Sequence, residues 1–100
     1  NGHIAGGVAV RPLAPVAPGW GEIKRLWVRP DLRRHGVAAA LLVAAEKLAR
    51  ERGLHDLFLE TGWAQPEAIA LYHREGWTKV EVGPGGLAAY PDSHRFVKAL

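Results

Sequence analysis

One run of segments in this 100-residue chain constrains its fold more than any other. An apolar strand over residues 20–28 leads into a turn holding Pro30 and the basic run Arg33-Arg34-His35-Gly36. A helical pattern follows over residues 34–52, and a second apolar strand over residues 55–61. Strand, helix and strand at this spacing form a βαβ-like unit, in which the helix carries the chain back so that the two strands run parallel. Val37, Leu41, Ala44, Ala45 and Leu48 recur at steps of three and four and are the expected inward face. Glu46, Lys47, Arg50, Glu51 and Arg52 lie toward the opposite side and the last turn, and Gly53 is the expected stop.

The start of that helix has its own chemistry. The first four N–H groups of a helix have no partner within it, and the helix dipole adds partial positive charge at the same end. Gly36 carries no side chain, so a ligand can approach the backbone closely. The segment from Val28 to Leu42 is therefore a ready site for a phosphate group.

The flanking segments complete a small mixed α/β pattern. Asn1-Gly2 is a strong hairpin-turn signal, which leads us to expect a strand ahead of it and to read the chain as the C-terminal piece of a larger domain. A frayed end is the alternative. Residues 3–10 read as a strand in which Gly6 and Gly7 mark a bulge or close backbone approach. Residues 11–19, with three prolines, read as a loop. In the strand over residues 20–28, alternation puts Gly21, Ile23, Arg25 and Trp27 on one face and Glu22, Lys24, Leu26 and Val28 on the other. That strand is expected to be central, with its C-terminal end in a site. Pro66 suits a first helical turn, and residues 67–75 form a short helix stopped by Gly76. Strands are expected over residues 77–82 and 96–100, and an exposed last strand would allow two copies to pair as a homodimer.

Composition narrows the function. No apolar run approaches the ~20 residues of a membrane span, and no basic start followed by an apolar block suggests a signal peptide. With no cysteine there is no disulfide framework, thiolate metal site or cysteine nucleophile, which fits a cytoplasmic protein. The formal charge of +3 is mild, and Lys and Arg are interspersed with Asp and Glu, so no nucleic-acid-binding stripe is expected. His55, His73 and His94 lack metal-ligand spacing and are expected to be exposed or hydrogen-bonded, and no metal is expected. Nothing resembles a Ser/His/Asp triad.

Two blocks together carry a family resemblance. Arg33-Arg34-His35-Gly36-Val37-Ala38, preceded by Val28-Arg29-Pro30, is similar to the acetyl-CoA signature Arg/Gln-x-x-Gly-x-Gly/Ala of the GNAT N-acetyltransferase superfamily. Residues 68–77, Ala-Ile-Ala-Leu-Tyr-His-Arg-Glu-Gly-Trp, resemble its later Ala-x-x-Leu-Tyr helix ending in Gly-aromatic. The order is right and the resemblance covers essentially the whole chain. It implies an α/β (α+β) acyl-CoA N-acyltransferase fold: a mixed, mostly antiparallel sheet with a central parallel pair and flanking helices. Residues 1–100 would be one such domain, incomplete at its N-terminus, where the family's first strand, two helices and next strand would precede Asn1.

The resemblance also implies roles. Acetyl-CoA would be the cosubstrate, with its diphosphate on the backbone N–H groups from Arg34 to Ala39. Arg33, Arg34, His35, Gly36, Val37, Ala38 and Ala39 form that loop. Leu26, Trp27 and Val28 would lie beside the thioester, where the family's strand splays from its parallel neighbour and pairs with the pantetheine arm. Trp27 has the alternative of a plain core residue. Glu22, eleven residues before Arg33, sits where histone-type relatives carry a general base; a structural or substrate-positioning glutamate is the alternative, and His3 and His35 are weaker candidates. Tyr72 would donate a proton to the departing thiolate, or else be a core aromatic. Relatives often place Asn ahead of the later helix; here Gln65 stands in that region and is the candidate CoA contact. The implied reaction is acetyl transfer to a primary amine, on a small molecule or a peptide, by direct attack in a ternary complex. An acyl-CoA-binding or regulatory module without turnover and an interaction domain fused to an upstream segment are the alternatives.

Overall fold

The computed structural model describes residues 6–28, 36–61, 66–86 and 92–100. The hairpin signal at Asn1-Gly2 and the candidates His3, Arg33, Arg34, His35 and Gln65 lie outside the described residues. In chain order the elements are β1 (Gly6–Pro12), β2 (Trp20–Val28), α1 (Val37–Glu51), β3 (Asp56–Thr61), α2 (Pro66–Arg74), β4 (Thr78–Val80) and β5 (His94–Ala99). Among the described residues five strands form one sheet in the order β1-β2-β3-β5-β4. Of their pairs only β2–β3 is parallel; the others are antiparallel. The βαβ unit and the central parallel pair are thus as the sequence suggested.

Glycine ends both helices in the way the sequence indicates. After α1, Gly53 takes φ 77. Its N–H bonds the Arg50 carbonyl at 3.0 Å, and the Leu54 N–H reaches back to Ala49 at 2.9 Å. After α2, Gly76 takes φ 90. Its N–H bonds His73 at 3.1 Å and the Trp77 N–H bonds Tyr72 at 2.9 Å. Each pair satisfies carbonyls that the helix end would otherwise orphan, and only glycine adopts the required left-handed conformation at little cost.

Both helices pack on one face of the sheet. Leu42, Ala45 and Ala49 of α1 and Tyr72 of α2 join Val10, Ile23, Leu57, Leu59 and Phe96 in the main cluster. On the other face, Leu13 and Ala17 of the proline-rich loop close over Phe58. The loop holds this position through its own hydrogen bonds, Leu13 N–H to Trp20 at 2.9 Å and Ala17 N–H to Leu13 at 3.0 Å.

Several expectations need correction. Arg11 and Pro12 belong to β1, not to the loop: among the described strands β1 is outermost, and Pro12 is its last residue, where a missing proline N–H is tolerated. The strand expected over residues 77–82 is confined to Thr78–Val80, while Trp77 is a buried core residue. The last strand starts at His94, not Phe96. It lies between β3 and β4 rather than at an edge, so the expected route to a homodimer through an exposed final strand is closed. In α1 the inward stripe is rotated: Ala44 is exposed and Leu42 is fully buried. Glu46 is buried instead of solvated, because Lys98 reaches it from β5.

The face assignment in β2 also changes. Gly7 pairs with Trp27 and Ala9 with Lys24, so two steps along β1 oppose three along β2. The glycines of β1 do mark a bulge, but the extra residue sits in β2. It puts Leu26 on the same cluster as Ile23, against the simple alternation, and leaves Trp27 48% exposed rather than in the core.

Candidate active site

The bulge lies where β2 leaves β3. The parallel ladder runs from Trp20↔Asp56 to Ile23↔Leu59 and stops there. Beyond it, β2 continues to Val28 paired with β1 alone, while Glu60 and Thr61 of β3 pair with β5. The two parallel strands therefore part toward their C-terminal ends. Among the described residues, the backbone of β2 from Lys24 to Val28 has no ladder partner on that side. Such an unpaired edge can hydrogen-bond an extended ligand as an added strand. Leu26 and Trp27 lie on it, and Val28 ends it.

Helix α1 begins at the same end of the sheet. Gly36 is its N-cap with φ 77 and ψ 4, and its carbonyl accepts the Ala40 N–H at 3.0 Å. Among the described residues no side chain caps the helix, and its first turn holds no acidic residue. The N–H groups of Val37, Ala38 and Ala39 thus meet no carboxylate among those residues, where a capping carboxylate is otherwise favoured. A Cβ placed on Gly36 would meet nothing within 4 Å among the described residues, which leave the approach to this backbone open.

Tyr72 and Glu22 sit on opposite faces of the sheet. Tyr72 is 7% exposed and packs on Phe96, with ring centroids 4.9 Å apart. Burial raises its phenol pKa above the ordinary value, so the hydroxyl keeps its proton throughout the neutral range. Tyr72 is thus both a core aromatic and a potential proton donor. Glu22, on the Phe58 side, is 6% exposed. Arg11 Nη2 lies 2.8 Å from its Oε1, and Lys24 Nζ 3.5 Å from its Oε2. Both cations are substantially exposed, so a ligand could displace either at little cost.

Sequence reasoning missed two charge clusters. On the Glu22 side, Arg95 Nε lies 2.9 Å from Glu60 Oε2, with both side chains 7% exposed. Ser93 Oγ donates to the same oxygen, and Arg95 Nη1 donates to the Glu81 carbonyl at 2.6 Å. On the helix side, Lys98 Nζ donates to Glu46 at 2.9 Å and to the Glu75 carbonyl at 2.6 Å. Charged residues set within the apolar run 94–100 were the available signal. Of the histidines, His55 and His73 are exposed, whereas the buried Nδ1 of His94 has no hydrogen-bond partner among the described residues. No group of three or more His, Asp or Glu among the described residues could hold a metal ion, and no helix there is long and apolar enough to cross a membrane.

Comparison with known proteins fits this geometry. The chain is 43% identical over 68 residues to the IAA acetyltransferase of Azospirillum brasilense, covering 68% of this chain and 43% of that protein. A solved structure described as a candidate acyl-CoA N-acyltransferase from Klebsiella pneumoniae superposes with TM-score 0.81 at 35% identity, covering 96% of this chain and 63% of that one. The PaiA N-acetyltransferase of Thermoplasma acidophilum, solved with coenzyme A, shares the fold at TM-score 0.75 and 17% identity, over 96% of this chain and 54% of that one. The chain spans about half the length of the curated relatives it matches. The model of the acetyltransferase (GNAT) family matches residues 1–77, and the chain belongs to that family.

Proposed function

We propose that the protein transfers the acetyl group of acetyl-CoA to a primary amine by direct attack in a ternary complex. The observation that carries this reading is the parting of β2 and β3 beside an uncapped helix start. Diphosphate on the N–H groups of Val37, Ala38 and Ala39 would let the pantetheine arm run along the free edge of β2 beside Leu26, Trp27 and Val28. The thioester would then lie in the gap, open to both faces of the sheet. Proteins of the same fold solved with coenzyme A support CoA as the ligand class. Arg33, Arg34 and His35 would complete the diphosphate loop, and Gln65 would contact CoA from ahead of α2.

The division of labour follows from the two faces. The amine enters from the Glu22 side, and its nitrogen attacks the thioester carbonyl. A C–N bond forms, the C–S bond breaks, and the ammonium proton leaves through Glu22 or a water held there. From the helix side, Tyr72 gives its proton to the departing thiolate. Acid and base on opposite faces do not quench each other by direct proton transfer. The acceptor class is a small-molecule or peptide amine, and the setting we propose is the cytoplasm.

Initial-rate kinetics of the full-length protein test the order of events. Direct attack gives intersecting double-reciprocal lines and no acetylated enzyme by intact mass. Parallel lines with a 42-dalton (~42 Da, one acetyl) adduct on the protein would overturn it.

A further inference from the structure

Lys98 is the one lysine that ties three elements together among the described residues. It projects from β5 onto the helix face, where its ammonium donates to Glu46 of α1 at 2.9 Å and to the Glu75 carbonyl at the end of α2 at 2.6 Å. Its side chain is 22% exposed and that of Glu46 is 8% exposed. Arg50, 3.6 Å away on the next turn of α1, supports the same carboxylate from solvent. The stem of Lys98 passes so close to Gly76 that a Cβ there would stand 3.4 Å from Cε. That distance is ordinary van der Waals contact, so Gly76 is set by its φ of 90 and the lysine stem packs against it.

These contacts bear on the two ends of the site. Helix α1 carries the proposed diphosphate site at its start, and α2 carries Tyr72. Two residues before Lys98, Phe96 supports the Tyr72 ring from the same strand. A cation on the last carbonyls of α2 is favoured by the helix dipole, and its anchorage on Glu46 fixes where that helix end can sit. We propose that Lys98 is a positioning residue, which with Glu46 sets α2 against α1 and so holds the Tyr72 hydroxyl in line with the leaving sulfur. The proposal rests on the acetyl-transfer reading above for its consequence in catalysis, but not for its effect on α2.

The test uses Lys98→Met in the full-length protein, which keeps the stem and removes the ammonium. Glu46→Gln serves as a second, gentler variant that retains volume and an acceptor. Lys98→Met is expected to lower kcat roughly 10–100-fold through misplacement of the acid, with acetyl-CoA affinity unchanged. Combined with Tyr72→Phe it is expected to cause no further loss, because the acid it positions is already gone. Glu46→Gln should shift kcat in the same direction and less. An unchanged kcat in Lys98→Met, or losses that multiply with Tyr72→Phe, would overturn the proposal. Hydrogen exchange gives an answer that needs no turnover. The amides of α2 should exchange about tenfold faster in Lys98→Met while those of β3 keep their protection, and equal protection of α2 in both proteins would also overturn it. A wild-type protein that transfers no acetyl group would sink the catalytic reading alone, since exchange still decides whether Lys98 holds α2.

Discussion

Two glycines allow the proposed diphosphate site to be separated from simple backbone strain. Gly36 begins α1 and Gly53 follows its end; both have φ 77, and a Cβ on either meets nothing within 4 Å. Alanine at either position therefore costs the left-handed conformation and little else, about 1–2 kcal/mol of stability. The two variants should lose nearly equal stability in chemical denaturation. Their effects on CoA should differ. At Gly36 the new methyl stands in the open approach to the N–H groups of Val37, Ala38 and Ala39. Losing one charge-assisted hydrogen bond to a phosphate there removes about 1.5–3 kcal/mol, which is roughly a 10–100-fold rise in Kd. Titration calorimetry with CoA on Gly36→Ala, Gly53→Ala and wild type is the assay. Pantetheine, which lacks the diphosphate, should bind all three alike. Equal CoA affinity in Gly36→Ala and Gly53→Ala would refute the placement of the diphosphate at this helix start.

Three further outcomes are expected. Tyr72→Phe should lower kcat by about 10²–10⁴-fold with little change in CoA affinity, and equal losses in both would remove its role as the acid. Because burial raises the Tyr72 pKa, the unfolded chain loses this proton first; its contribution to stability is full below about pH 10 and declines above that, so Tyr72→Phe should flatten the alkaline fall in a denaturation series. Glu22→Gln should lower kcat by about 10²–10⁴-fold with CoA affinity unchanged, and an unchanged kcat would rule out a base there. Arg95→Met leaves Glu60 buried without its cation and should cost about 3–5 kcal/mol of unfolding free energy in chemical denaturation, part of it recovered by adding Glu60→Gln.

The parts of this fold set by neighbouring residues were legible in the sequence. Helix periodicity, the stops at Gly53 and Gly76 and the parallel pair around α1 all depend on local patterns. What escaped depends on contacts distant in the chain. The bulge in β2 is fixed by its register with β1, so counting alternate residues along β2 placed Leu26 on the wrong face. The insertion of β5 between β3 and β4 reflects hydrogen bonding to strands on both sides, which nothing local in residues 94–100 specifies. Glu46 looked like a surface residue because its partner, Lys98, lies far along the chain. At the site, the open helix start at Gly36 was legible because a glycine before a helix has a direct backbone meaning. The opposed faces of Tyr72 and Glu22 emerged only from the folded sheet.

The most direct test of the account is amine-dependent release of thiol from acetyl-CoA by the full-length protein, followed over a panel of small amines and peptide N-termini. Acetyl transfer predicts that free CoA appears in step with an N-acetylated product and only when a suitable amine is present. Tight binding of acetyl-CoA with no amine-dependent thiol release across the panel would contradict it, and would favour a module that binds acyl-CoA without turning it over.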